Sequence, residues 1–391
     1  MRALVLIDGE HSEPVVRDAL AAMPYDVVAV LLVGGTEKLR GGEDYGVPLV
    51  ASLAEAAVDL VLDLSDEPVL GPRERFLWAS RALALGLPYV GADFRFDPPV
   101  FHDAPLPSLA VIGTGKRVGK TAVTGHVARL LARDHDVVVV SMGRGGPPEP
   151  DVRLTAPALD ELVELSRAGL HAASDHLETA VLAAVPTVGC RRAGGGLAGA
   201  TFDSNVLEGV RAAAALGPDL LILDGSGAAV PPVAADARIL VTNGLQGVRD
   251  GLNAYRVLVS DLVVDTGGAD HDAIREIKSL PIVCAELRLR PAEPLHGRRT
   301  AVFTTGDAPT AHLDADVVHV SRNLARRDAL RAELLTVDAD VYLVELKAAA
   351  VDVVAEAALA RGAQVVFAAN DVVADGLDEL IVGLVPAAAR A

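Results

Sequence analysis

The chain has 391 residues, 51% hydrophobic and 23% charged, with a formal net charge of −18. This composition supports packed cores and excludes a disordered protein; the acidic balance argues against a nucleic-acid partner or an anionic membrane surface, which would want a basic face. Aromatics are only 3%, so the cores must be Val, Leu and Ala, which favours α/β layers with parallel strands. Cys190 and Cys284 lie far apart, without disulfide or metal-ligand spacing. Early charge argues against a signal peptide and no long apolar run is there to span a bilayer, so a reducing cytoplasm is the expected setting.

Residues 1–105 are expected to form a first α/β unit. Residues 3–7 read as a strand running into Asp8-Gly9-Glu10-His11, with Pro14 in the tolerated first turn of the next helix. Residues 27–33 and 60–64 read as strands, 73–85 as a helix and 89–91 as a short strand. Polar residues gather at the strands' carboxyl ends, where open α/β sheets bind ligands. The prolines between Asp97 and Pro107 break helix and sheet alike and set a boundary.

Residues 106–297 carry the strongest signal. The strand Leu109-Ala110-Val111-Ile112 leads into Gly113-Thr114-Gly115-Lys116-Arg117-Val118-Gly119-Lys120-Thr121, and a helix is expected over 122–133, beginning at Ala122. Strand, glycine-rich loop, Gly-Lys-Thr and helix form a phosphate-binding P-loop. Backbone N–H groups and the helix N-terminus would hold phosphate, Lys120 would reach the β- and γ-phosphates of ATP, and the Thr121 hydroxyl would sit on Mg²⁺. The first glycine stands one place upstream of its general position. That spacing resembles the loop of dethiobiotin synthetase, in the class that also holds MinD-like ATPases.

After a strand over 137–141, residues 142–150 are too rich in Gly and Pro for regular structure, and Arg144 stands there between glycines. A helix is expected over 157–168. Ser174-Asp175-His176-Leu177-Glu178 reads as the cap of the next helix, and Cys190-Arg191-Arg192-Ala193-Gly194-Gly195-Gly196 sets two arginines beside three glycines. Arg144, Arg191 and Arg192 are either solvated loop charge or an anion clamp, since guanidinium forks match phosphate and carboxylate oxygens. Residues 220–224 form a strand ending in Asp224, read as part of the Mg²⁺ shell in preference to a turn acid. Asn243 follows a strand over 239–241 and either contacts the nucleotide base or closes a turn. Strands over 262–265 and 282–284 finish the sheet.

A second linker at 291–299 opens residues 298–391, a small α/β unit with strands over 301–304, 317–320, 341–344 and 365–368. Glu345 and Lys347, at a strand-to-helix corner, either bridge each other or face a site shared with the central unit. The expected fold is thus a central P-loop domain with a mostly parallel sheet, flanked by smaller N- and C-terminal α/β domains.

Several stretches together resemble cyclic 2,3-diphosphoglycerate synthetase: Ile7-Asp8-Gly9-Glu10-His11, the loop from Gly113 to Thr121, Met142-Gly143-Arg144-Gly145-Gly146-Pro147-Pro148-Glu149-Pro150, Asp224-Gly225-Ser226-Gly227 and Val344-Glu345-Leu346-Lys347-Ala348-Ala349. The resemblance spans all three units. It implies a ligase that closes the two phosphates of 2,3-diphosphoglycerate into an anhydride, with ATP going to ADP and phosphate. It also implies that Glu10, His11, Arg144, Arg191, Arg192 and Lys347 face the substrate. Such a substrate carries roughly five negative charges and ATP–Mg about two more, so the barrier is bringing anions together. Lys116, Arg117, Lys120 and Arg144 are the cations expected at that barrier, and His11 either donates to phosphate or is a hydrogen-bonded loop residue. The partner is a small molecule, with room for a homodimer. Two other readings stay open: a dethiobiotin-synthetase-type enzyme acting on another small anion, and a MinD-type nucleotide switch, against which the glycine at 115 counts.

Overall fold

The computed structural model describes the chain apart from residues 171, 173, 307, 347–349, 390 and 391. In the N-terminal sheet, β1 Arg2–Ile7, β2 Asp26–Leu32, β3 Leu49–Val50, β4 Leu60–Asp63, β5 Tyr89–Val90 and β6 Arg95–Phe96 take the order β3-β2-β1-β4-β5-β6. Only β6 runs antiparallel to its neighbour. The strands are aliphatic on both sides because helices cover both faces. Val16 and Leu20 of α1 Glu13–Ala22 pack on Ala3 and Val5, while Ala79 and Leu83 of α2 Pro72–Ala84 pack on Leu4 and Leu6. Strand order reverses between β1 and β4, so Asp8-Gly9-Glu10-His11 stands at a topological switch point.

Contrary to the expectation from its composition, the proline-rich connection is not devoid of sheet. It holds β7 His102–Asp103, a two-residue strand that pairs in parallel with Val233–Ala234 from the central unit. Backbone pairing this short leaves the flanking prolines outside the ladder.

The central sheet is built on β8 Ser108–Gly113, β9 Val137–Gly143, β10 Asp151–Arg153, β11 Thr187–Ala193, β12 Asp203–Ser204 and β13 Leu220–Asp224. With β14 being Val233–Ala234, the run continues through β15 Ala237–Thr242, β16 Leu262–Asp265 and β17 Ile282–Cys284. The order is β10-β11-β9-β13-β8-β15-β16-β17, with β12 pairing β11. All but β10 and β12 are parallel. Every residue of β8, β9 and β13 is buried, as a sheet covered on both faces demands. Its helices include α3 Lys120–Leu131, α4 Leu159–Arg167, α5 Asp175–Ala183, α6 Val206–Ala214, α7 Asn253–Leu258 and α8 His271–Ile277. Helix α3 begins two residues before its expected start, at the P-loop lysine itself.

The C-terminal sheet has the order β18-β22-β21-β19-β20, from β18 Glu286–Pro291, β19 Arg299–Phe303, β20 Asp316–Ser321, β21 Val341–Glu345 and β22 Gln364–Val373. Only Ala285 separates β17 from β18, which pairs antiparallel with β22. This short crossing brings the C-terminal sheet against the P-loop helix. One core joins Val123 and Val127 of α3 to Val372, and to Leu377 and Ile381 of the C-terminal helix Leu377–Leu384. Asp371 accepts from Arg129 at 3.1 Å and from Arg290 at 2.8 Å across the same seam. No helix among the described residues is long and apolar enough to cross a membrane.

Candidate active site

The P-loop leaves β8 at the middle of the central sheet. Thr114 is buried, its N–H on Val241 O at 3.2 Å and its hydroxyl 3.2 Å from that of Thr242. Val118 is buried too, and its carbonyl accepts from the Thr266 hydroxyl at 2.9 Å. Asn243, expected to contact a base or close a turn, closes one: its Oδ1 accepts from Leu245 N at 3.0 Å, while its Nδ2 donates to Arg117 O at 3.0 Å. It pins the loop from the flank. Gly119 has φ +83°, and a side chain there would meet Thr266 and Leu287 at about 3 Å, so only glycine suits the turn into α3. At Gly115 a Cβ would lie 1.6 Å from Gln246 Oε1, so any side chain there, such as the lysine of a MinD-type switch, requires the Gln246 side chain to move.

Lys120 pairs with Asp224, whose carboxylate is fully buried at the end of β13. Thr124 donates to the same Oδ1 at 2.7 Å. The other oxygen, Oδ2, is buried with no hydrogen-bond partner. Burial pushes the Asp224 carboxyl up; Lys120 opposes this, and the charge of Asp175 adds to it. An orphaned carboxylate oxygen beside the P-loop is a donor that a hard cation would take, so Asp224 and Thr121 fit the Mg²⁺ of a nucleotide.

A cavity of about 630 Å³ opens over this floor. Gly115, Lys116, Arg117, Val118, Gly119, Lys120, Thr121 and Ala122 line one side, and Gly143 to Gly146 the next, including Arg144. Asp175 and Glu178 of α5 line a third, and Thr305, Glu345 and Asn370 come from the C-terminal sheet. Glu345 is held by Thr305 N–H and hydroxyl at 2.8 and 3.0 Å and by Asn370 Nδ2 at 3.1 Å. It therefore faces the shared site; Lys347 lies outside the described residues. A neighbouring cavity of about 470 Å³ is lined by Arg144, Arg192, Gly194 to Gly196, Ala228 and Ala229. Arg144 belongs to both.

Gly227 lines the first cavity, close to the Arg144 that both cavities share. A Cβ built there would lie 3.3 Å from Arg144 Nη2, 3.6 Å from Lys116 Cγ and 3.9 Å from Arg192 Nη2. The Arg144 and Arg192 guanidinium groups and the Lys116 stem, from two loops and the end of β11, thus approach one glycine, at φ +59°. Among the described residues no carboxylate lies within ion-pair distance of Lys116, Arg117, Arg144 or Arg192. Arg192 is buried, donating to Gly194 O at 2.6 Å and Ser226 O at 2.9 Å, while its Nε has no partner. Burial, with Arg144 nearby, draws its guanidinium below the ordinary value.

The expected arginine pair separates. Arg191 and Arg192 are successive residues of β11, so they point to opposite faces; Arg191 is exposed and lines neither cavity. Glu10 and His11 line neither cavity either. Asp8 accepts from His11 Nδ1 at 2.8 Å and from the N–H groups of Glu10, His11 and Asp66, and Lys38 pairs with Glu10. Burial pushes the Asp8 carboxyl up, but these donors hold it below its ordinary value. Asp175 and Glu178, read from sequence only as helix-capping acids, lie inside the site. Gly227 stood in sequence only within the Asp224-Gly225-Ser226-Gly227 stretch, and Gln246 had no signal beyond a strand-end loop.

Models of cyclic 2,3-diphosphoglycerate synthetase match the chain in three parts: the N-terminal domain over residues 2–97, the P-loop domain over 108–285 and the C-terminal domain over 291–371. The cyclic 2,3-diphosphoglycerate synthetase of Rubrobacter xylanophilus is 48% identical, over 100% of this chain and 98% of its own. That of Pyrococcus horikoshii is 40% identical, covering 93% and 91%; that of Methanothermobacter thermautotrophicus is 37% identical, covering 98% and 95%. Among solved structures, LpxK of Aquifex aeolicus in complex with ATP shows a loose likeness, with 16% identity and a TM-score of 0.43 over 73% of this chain and 91% of that one.

Proposed function

The chain belongs to the cyclic 2,3-diphosphoglycerate synthetase family, and we propose that it converts 2,3-diphosphoglycerate to its cyclic anhydride, with ATP going to ADP and phosphate. The observation that carries this reading is the approach to Gly227, beside the P-loop, of Lys116, Arg144 and Arg192, none of which has a carboxylate within ion-pair distance among the described residues. A nucleotide-binding loop alone needs no second group of cations one cavity away.

On this reading Lys120 holds the nucleotide's β- and γ-phosphates. Lys116, Arg144 and Arg192 hold the phosphates of the second ligand, with Arg117 at the mouth. An oxygen of one substrate phosphate attacks the γ-phosphorus in line and the bond to ADP breaks. An oxygen of the other substrate phosphate then attacks the phosphorylated phosphate, expelling inorganic phosphate and closing the ring. The attacking oxygens are already ionised, so positioning and charge neutralisation suffice. Mg²⁺ held by Thr121 and Asp224 would add neutralisation at the nucleotide phosphates.

The test is ADP release by the purified chain with ATP, Mg²⁺ and a panel of small anions. We expect release with 2,3-diphosphoglycerate, one phosphate accompanying each ADP. Release with a different anion, and none with 2,3-diphosphoglycerate, would replace this reading with another ligase or kinase of the same loop type.

A further inference from the structure

The edge of the central sheet carries three chemically distinct metal donors at one point. Asp265 ends β16 and Cys284 ends β17, and the two residues are register partners in the parallel ladder. His271 opens α8, returned to the same place by a turn through Gly267 and Gly268. His271 Nε2 lies 2.9 Å from Asp265 Oδ2 and 3.9 Å from Cys284 Sγ, and all three donor atoms fall within 4.8 Å of one another.

Cysteine, histidine and aspartate together invite comparison with a nucleophilic triad. In a triad the acid and the nucleophile face opposite ring nitrogens, so that a proton passes through the ring. Here both face the same nitrogen, Nε2. The donors aim at a common point, which suits chelation. Tetrahedral zinc, with bonds of about 2.0 Å to N and O and about 2.3 Å to S, sets N···O near 3.3 Å and N···S near 3.5 Å. The observed separations bracket these values.

We propose that Asp265, His271 and Cys284 bind one zinc-class divalent cation, with the fourth position open to water. The thiolate and imidazole donors select against Mg²⁺, which takes oxygen ligands. The carboxylate is already oriented: Asp265 Oδ1 accepts from the N–H groups of Gly267 and Ala269, the outer support that metal ligands need. Cys284 is exposed, giving the ion a path in. The linear spacing 265–271–284 fits no metal motif, which is why sequence reading dismissed the cysteines. Binding would clasp three successive elements next to Thr266, which bonds the P-loop through Val118.

The experiment titrates the reduced, chelator-treated full chain with Co²⁺ and follows its absorption. We expect one equivalent to bind with a thiolate-to-cobalt charge-transfer band that Zn²⁺ displaces. The band reports on Cys284 alone, because the other cysteine, Cys190, is buried and its thiol is pushed up to about 12. Cys284→Ser should abolish the band and weaken binding by at least the roughly 10–100-fold that loss of an outer ligand partner costs; Cys190→Ala should keep it. His271→Gln, with folding checked by circular dichroism, should weaken binding while leaving the nucleotide site intact. Absence of the band in the unsubstituted chain, or its survival in Cys284→Ser, would overturn the proposal.

Discussion

Two strand-end clusters in this chain contain similar residues and differ in one respect. At the N-terminal switch point, Asp8, Glu10, His11 and Lys38 satisfy one another. At the P-loop, Lys116, Arg117, Arg144 and Arg192 have no carboxylate within ion-pair distance among the described residues. Self-satisfied charges organise a loop; cations left over, converging on a glycine, mark where an anion must come. Arg192, buried and with no carboxylate within ion-pair distance among the described residues, is costly to hold charged unless an anion joins it.

The sharpest way to break this comparison is at the P-loop. Lys120→Ala should lower kcat by roughly 10²–10³-fold, the cost of losing one donor to a developing charge, with circular dichroism reporting a retained fold. Activity near that of the unsubstituted chain would contradict the nucleotide assignment. Next in size, Arg144→Ala and Arg192→Ala should each raise KM for 2,3-diphosphoglycerate by roughly 10–100-fold, as expected for a charged hydrogen bond, with KM for ATP less affected. Arg191→Ala should do neither, because its side chain lies on the opposite face of β11. Equal effects of Arg191 and Arg192 in steady-state kinetics would show that the strand does not sort them.

Satisfied clusters should appear in stability instead. His176, behind the site, is buried; burial holds it below the ordinary 6.5, although Asp151 at 2.9 Å pulls the other way. The unfolded chain therefore takes up this proton first. Its contribution to stability is complete above pH 6.5 and is lost as pH falls through the lowered folded value. Denaturant midpoints across this window should drop on acidification, and His176→Gln should flatten the slope; an unchanged slope would remove His176 as the cause. The smallest effect is expected from Glu10→Gln, a change of no more than roughly twofold in KM, as for a surface substitution. A rise matching that of Arg144→Ala would make the N-terminal edge part of the substrate site.

The parts of this site legible in sequence are those that are contiguous. Gly113 to Thr121 forms a whole device from neighbouring residues, and Asp224 is recognisable because an aliphatic strand must end at the sheet's ligand edge. The Arg191-Arg192 pair misled because side-chain direction depends on whether both residues lie inside the strand, and β11 runs on to Ala193. Asp175 and Glu178 were hidden for a different reason. An acid in the first turn of a helix has a sufficient local explanation, and only the pairing of β11 with β9 brings α5 against the P-loop. The convergence at Gly227 depends on the loops after β8 and β9, the end of β11 and the turn after β13, a property of the assembled sheet.

The central claim is that the cations around Gly227 receive the phosphates of a second ligand and that its two phosphates are joined there. Phosphorus NMR of the purified chain with ATP, Mg²⁺ and 2,3-diphosphoglycerate tests it most directly. Loss of the two phosphomonoester signals and growth of a cyclic anhydride signal in step with ADP and inorganic phosphate are expected, greatly slowed in Arg192→Ala. ATP turnover with both phosphomonoester signals unchanged would contradict it.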